Sequence, residues 1–323
     1  MNLATLIPPF DWQRVIVDPW TAHMPGTLWM VLMALLLGIP CALLGNYLLL
    51  RRMALVGDAI SHSVLPGLVL AYLIFHDLGT GAMLAGAMAA GLATTLLIEF
   101  ITSKSRLKSD AATGITYTTL FALGIFLVNS YTGRVHLDAD CVLFGELEYV
   151  QLAEPSAVRF GAWGAVPLPI LISAGIALLV IGYIAAFYKE LALTSFDPGL
   201  ARTIGVRTGL VHYSLMAMLS FLVVTSLESV GILVVALLVL PGSTAQFFTR
   251  RLWNLHVIAV VLSATAVLAG FHLAAWWRCP TAAAIALCGG GQFALAWIIS
   301  GMSGMMRRLQ HGGNAVARQR AAP

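Results

Sequence analysis

From residue 27 onward the chain is a succession of apolar stretches roughly 20 residues long, and this repetition decides most of what it can become. A helix rises about 1.5 Å per residue, so a stretch of that length crosses a hydrocarbon core of about 30 Å. The spans read from the sequence are 27–50, 53–75, 78–101, 114–130, 162–187, 209–226, 229–249, 254–275 and 281–300. The stretch 209–249 can break into shorter helical pieces, so eight or nine spans both satisfy the pattern. Only helices and closed barrels satisfy their own backbone in lipid, and no segment alternates as a barrel strand does. The expected fold is therefore all-α: a polytopic integral-membrane helix bundle of about 8–9 spans, forming one membrane domain over 1–310. Charged residues are only 10% of the chain, where a soluble surface needs about 25%, so lipid must be most of its solvent. The net charge of +4 then reports on orientation, and no nucleic-acid partner is expected.

With the N-terminus outside, Arg51, Arg52, Lys104, Arg106, Lys108, Lys189, Arg202, Arg207, Arg250, Arg251, Arg307, Arg308, Arg318 and Arg320 fall on the cytoplasmic side. Arg14, Arg134, Arg159 and Arg278 fall outside. This bias gives an inner-membrane protein a cytoplasmic C-terminus. The last residues, 311–323, are polar and are expected to form a disordered tail. The start of the chain lacks the pattern of a removable signal peptide. Cys41 and Cys288 lie in spans and Cys141 and Cys279 in outer loops; none has metal-ligand spacing. A Cys141–Cys279 bridge is conceivable in an oxidising compartment, and unpaired thiols are the simpler expectation.

The second span, MALVGDAISHSVLPGLVLAYLIF, carries Asp58 and His62 four residues apart. Positions i and i+4 share a helix face, so carboxylate and imidazole converge on one point. An acid in a spanning helix costs about 2.5–3.5 kcal/mol unless something compensates it. Pro66 has no N–H and leaves the His62 carbonyl without its intrahelical donor, while Gly57 and Gly67 allow close backbone approach. Such a polar turn is stable at membrane depth only when it faces protein or a water-filled path. A second buried acid, Glu228, precedes Gly231 and Pro241. If it faces the same cavity, two carboxylates and one imidazole make an O,O,N set suited to Mn(II), Fe(II) or Zn(II), and the lack of Cys or Met disfavours Cu(I). The competing readings are an ion pair between helices for Asp58 and His62, and an interfacial position for Glu228. His76, His212, His256 and His272 fall near span ends and read as interfacial.

Two connecting segments stand apart. Residues 131–156, expected outside, carry His136, Asp138, Asp140, Glu146, Glu148 and Glu154, an acidic density that concentrates divalent cations, docks a basic partner, or is simply solvated. In 191–209, Ser195 or Asp197 caps a short helix with Pro198 at its first position, and Gly205 ends it. The small residues of 78–95 predict close helix packing.

RRMALVGDAISHSVLPG (51–67) resembles the signature of the permease subunits of bacterial ABC importers for zinc, manganese and iron. HLDADCVLFGELEYV (136–150) is similar to the outer loop of the manganese-type branch, FDPGLARTIGVRTG (196–209) to the coupling segment, and SLESVGILVVALLVLPGSTA (226–245) to the late helices. Near the last span CPTAAAIALCGGGQ (279–292) departs from its relatives by becoming rich in Ala and Gly. The resemblance implies a type II ABC importer permease fold, working as a dimer with a second copy or a sister permease. It implies cytoplasmic ATP-binding subunits that grip the coupling segment 194–209 at Asp197, Pro198, Gly199, Ala201, Arg202 and Gly205. It also implies a periplasmic or lipid-anchored metal-binding protein at the outer mouth of His136, Asp138, Asp140 and Glu146. The metal path maps onto Asp58 and His62, and a glutamate typical of manganese-type members maps onto Glu228. No cofactor is expected to be held permanently; the metal is cargo. No GxxxxGK[ST] loop is present, so ATP hydrolysis is expected in a separate chain. A proton-coupled carrier using Asp58 and Glu228 is the alternative, and the absence of an HExxH pair disfavours a metalloenzyme.

Overall fold

Long apolar runs with no solvent-facing stripe become helices that are packed on one side and lipid-facing on the other. The computed structural model describes residues 8–22, 24–76, 80–131, 147, 158–159, 165–231 and 234–320, with side chains throughout except at 25, 80, 158–159, 165, 228–229 and 302–320. A π-helical turn, Gln13–Val17, leads into α1 (Asp18–Thr21), and the bundle follows as α2 (Met24–Leu50), α3 (Val56–Phe75), α4 (Thr80–Lys104) and α5 (Ser109–Tyr131). After a two-stranded antiparallel pairing of β1 (Val158–Arg159) with β2 (Ala165–Val166) come α6 (Leu168–Ala186), α7 (Tyr188–Phe196) and α8 (Pro198–Thr203). The remainder is α9 (Thr208–Val230), α10 (Val234–Ala245), α11 (Leu252–Trp277) and α12 (Thr281–Arg320). Helical geometry in α12 continues to Arg320 and so enters the segment expected as a disordered tail.

Among the described residues eight helices are long and apolar enough to cross a membrane. The span expected over 229–249 is corrected: α9 ends at Val230, Gly231 takes φ 66°, and α10 has only 12 residues. At 1.5 Å per residue it covers about 18 Å, well short of a hydrocarbon core. It nevertheless returns the chain to the end where α9 began, because Gly242 near its C-terminus lies against Asn46 and Leu49 in the last turns of α2.

α2 is the centre of one half of the bundle, with Leu37, Cys41, Leu44 and Tyr47 fully buried among α6, α9, α10 and α11. The other half is α3, α4 and α5. Lipid gives helices no hydrophobic reason to associate, so close approach through small residues supplies the packing energy. A Cβ placed on Gly67 of α3 would collide with the Gly86 carbonyl of α4, and one on Gly86 with the Gly67 carbonyl; the small-residue expectation for 78–95 holds at this crossing. Gly124 of α5 sits on Pro66, where an added Cβ would come 2.9 Å from the proline Cδ. The opposite faces of these helices leave Phe100, Phe126, Leu178 and Trp297 exposed to lipid.

Candidate metal site and coupling end

α3 starts one tight turn after α2. Arg52 adopts φ 58°, and Met53 N donates to Leu48 O at 2.9 Å, the pattern of a helix stopped by a left-handed residue. This stop puts Asp58 in the first turn of α3, with His62 one turn further on. His62 Nε2 lies 3.5 Å from Asp58 Oδ1, so the two converge as the spacing requires. The imidazole stacks on Tyr117 of α5 with centroids 5.7 Å apart and meets the edge of Phe121 at 5.6 Å. The pair is not sealed in the core: its side chains remain 29% and 34% exposed. Among the described residues no basic residue other than His62 is paired with Asp58. Behind them Ser63 Oγ accepts from Thr94 Oγ1 of α4 at 2.6 Å, fixing α3 to α4 beside the site.

Pro66 lies inside a continuous α3, buried under Gly124. Glu228 falls in the last turn of α9, and its side chain lies outside the described residues, as do His136, Asp138, Asp140, Glu146 and Cys141. Among the described residues no three of His, Cys, Asp and Glu cluster as a complete metal shell. Cys41, Cys279 and Cys288 are free thiols.

At the end of the bundle where α3 begins, the segment expected to couple to ATPases is two short helices. Asp197 is the cap: its Oδ1 accepts from Leu200 N at 2.9 Å, and Pro198 occupies the first position of α8. Gly205, at φ 87°, ends it, with Val206 N donating to Ala201 O at 2.9 Å. Ala201 is buried, while Phe196 at the end of α7, Leu200 in α8 and Ile204 just after it are exposed. Arg202 Nε donates to Thr208 Oγ1 at 3.2 Å. The α7 helix before it was not expected from the sequence. Asp197→Ala should cost α8 about 1 kcal/mol, read as faster hydrogen exchange at the Leu200 amide, with Asp197→Asn close to wild type.

Arg51 sits beside this segment. Its Nη2 donates to Thr194 Oγ1 at 2.7 Å, its Nε to Ser195 Oγ at 3.0 Å, and its Nη1 reaches His212 Nδ1 of α9 at 3.5 Å. His212 Nε2 in turn lies 3.2 Å from Glu99 Oε2 of α4. Burial pushes the Arg51 guanidinium below its ordinary pKa, so the hydroxyls of Thr194 and Ser195 must replace lost water. His212 is therefore not merely interfacial. His256 departs from that expectation too: it is 6% exposed and uses Nδ1 against Leu252 O at 2.8 Å. Glu99 escapes a reading by motif, yet an acid in an apolar span is itself a signal.

Residues 24–300 match the model of the ABC 3 transport family. The manganese transport system membrane protein MntD of Bacillus subtilis is 36% identical over 87% of this chain and 94% of its own length. The zinc transport system membrane protein TroD of Treponema pallidum is 37% identical over 87% of this chain and 76% of its own. The solved structure of PsaBC from Streptococcus pneumoniae in complex with Fab superposes with a TM-score of 0.70 at 30% identity, covering 88% of this chain and 94% of that one. The eight candidate spans and these matches agree: the chain belongs to the ABC 3 transport family, as a membrane permease subunit of an ABC transporter and not its ATPase.

Proposed function

We propose that the chain is the permease of an ATP-driven importer of a divalent transition metal, with Mn(II) the first choice of cargo and Zn(II) or Fe(II) the others. The observation that supports it most is the Asp58–His62 pair, a carboxylate and an imidazole 3.5 Å apart in a spanning helix, each about one third exposed. Oxygen and nitrogen donors suit these ions, and a passing cation would offset the cost of holding the carboxylate at membrane depth. Two donors do not complete a coordination shell; Glu228, water or a second permease, as copy or sister chain, supplies the rest. The likeness to manganese and zinc transport proteins points the same way.

In this reading a periplasmic or lipid-anchored binding protein delivers the ion to the mouth formed by His136, Asp138, Asp140 and Glu146, and the ion passes to Asp58, His62 and Glu228. Cytoplasmic ATPases seat on the coupling segment from Asp197 to Gly205, where exposed Phe196, Leu200 and Ile204 offer them apolar area. The end bearing Arg51, Lys104, Lys189 and Arg202 faces the cytoplasm, and so does the C-terminus. The test is reconstitution with the partner ATPase in vesicles: uptake of radioactive Mn(II) should require both the permease and ATP. Flux driven by a proton gradient through this chain alone overturns the reading.

A further inference from the structure

We infer that Arg51 is the positioning residue that transmits movement of the coupling segment to the helix bearing Asp58 and His62, through His212, Glu99 and the Thr94–Ser63 hydrogen bond. This rests on the importer reading and adds to it the path by which the segment Arg51 holds acts on that helix.

Arg51 belongs to the turn that starts α3, yet two of its three prongs hold α7 by Thr194 and Ser195. These hydroxyls are themselves anchored, Thr194 Oγ1 to Glu190 O at 2.7 Å and Ser195 Oγ to Leu191 O at 2.6 Å, so α7 cannot shift without pulling the guanidinium. The third prong reaches His212 on α9, whose other nitrogen meets Glu99 on α4. Only the tautomer with hydrogen on Nε2 satisfies both neighbours, since Nδ1 then accepts from Arg51 and Nε2 donates to Glu99. Five residues before Glu99 on the same helix, Thr94 donates to Ser63, the immediate neighbour of His62. Four elements are thus joined by directional bonds in a region where apolar packing alone would let helices slide. A planar guanidinium with fixed donors suits a strut in a way that a flexible ammonium does not.

The test uses the assembled transporter in vesicles and measures metal moved per ATP hydrolysed. Arg51→Ala should leave ATP hydrolysis and complex assembly in place while metal per ATP falls about tenfold or more, the size of a lost coupling of ordinary strength. Thr194→Val with Ser195→Ala, which leaves Arg51 intact and removes its acceptors, should reproduce the loss. Adding it to Arg51→Ala should lower the ratio no further. Arg51→Lys should recover only part of it. A cargo-independent readout accompanies these: nucleotide should change the distance between spin labels at Ile74, at the far end of α3, and Leu168 on α6 in the wild type and not in Arg51→Ala. Wild-type vesicles that move no metal would refute the importer reading alone, the labels still deciding on the strut. Unchanged metal per ATP, or an unchanged label response, in folded Arg51→Ala and in the double hydroxyl variant overturns the inference.

Discussion

Asp58→Ala should reduce the initial rate of ATP-dependent metal uptake about 100-fold, to the level of cells lacking the permease, while leaving expression and assembly with the ATPase intact. Its partner contact is the His62 ring and it fills no packed cavity, so truncation removes charge and a donor without opening the core. Asp58→Asn keeps the volume and should fail equally, which separates charge from shape. His62→Ala should also fail, but it removes the ring packed against Tyr117 and Phe121, so His62→Gln is the cleaner variant. Glu228→Ala tests whether the third donor lies on α9. Uptake at the wild-type rate in Asp58→Asn and His62→Gln would remove the proposed site, whichever metal is supplied.

Most of the spans were legible because hydropathy over 20 or so residues reports solvent directly. The break within 209–249 was legible in the sequence, but a full span over 229–249 is not found: a glycine at φ 66° ends α9 and the helix after it has only 12 residues, a length hydropathy does not report. The short helix α8 was legible at Asp197–Pro198 because capping chemistry is written in adjacent residues. The Asp58–His62 convergence followed from helix periodicity for the same reason. The Arg51 network was not legible, since Ser195 and His212 lie 144 and 161 residues away in sequence and only the folded bundle brings them together. Glu99 carries the same intramembrane-acid signal as Asp58, but no neighbour in sequence says what answers it.

Gly67→Val should be among the most damaging single changes to folding. At the α3–α4 crossing the two backbones touch, so a side chain at Gly67 meets the Gly86 carbonyl and the Ala90 Cβ, neither of which can rotate away. Overpacking a core costs about 1–3 kcal/mol when side chains can adjust, and a clash against backbone costs more. The loss should appear as a low yield of monodisperse protein in detergent and a sharply lower melting temperature, with Gly67→Ala intermediate and Gly86→Val equivalent. Gly290→Ala is the control: a Cβ there meets nothing within 4 Å, so helix propensity alone should raise stability by up to about 1 kcal/mol. Because Ser63 and His62 ride on the same helix one turn before the crossing, Gly67→Ala should also weaken uptake in whatever fraction folds. A Gly67→Val protein as stable as wild type would show that α3 and α4 are not held at backbone contact, and the fixed placement of Asp58 and His62 would then need another cause.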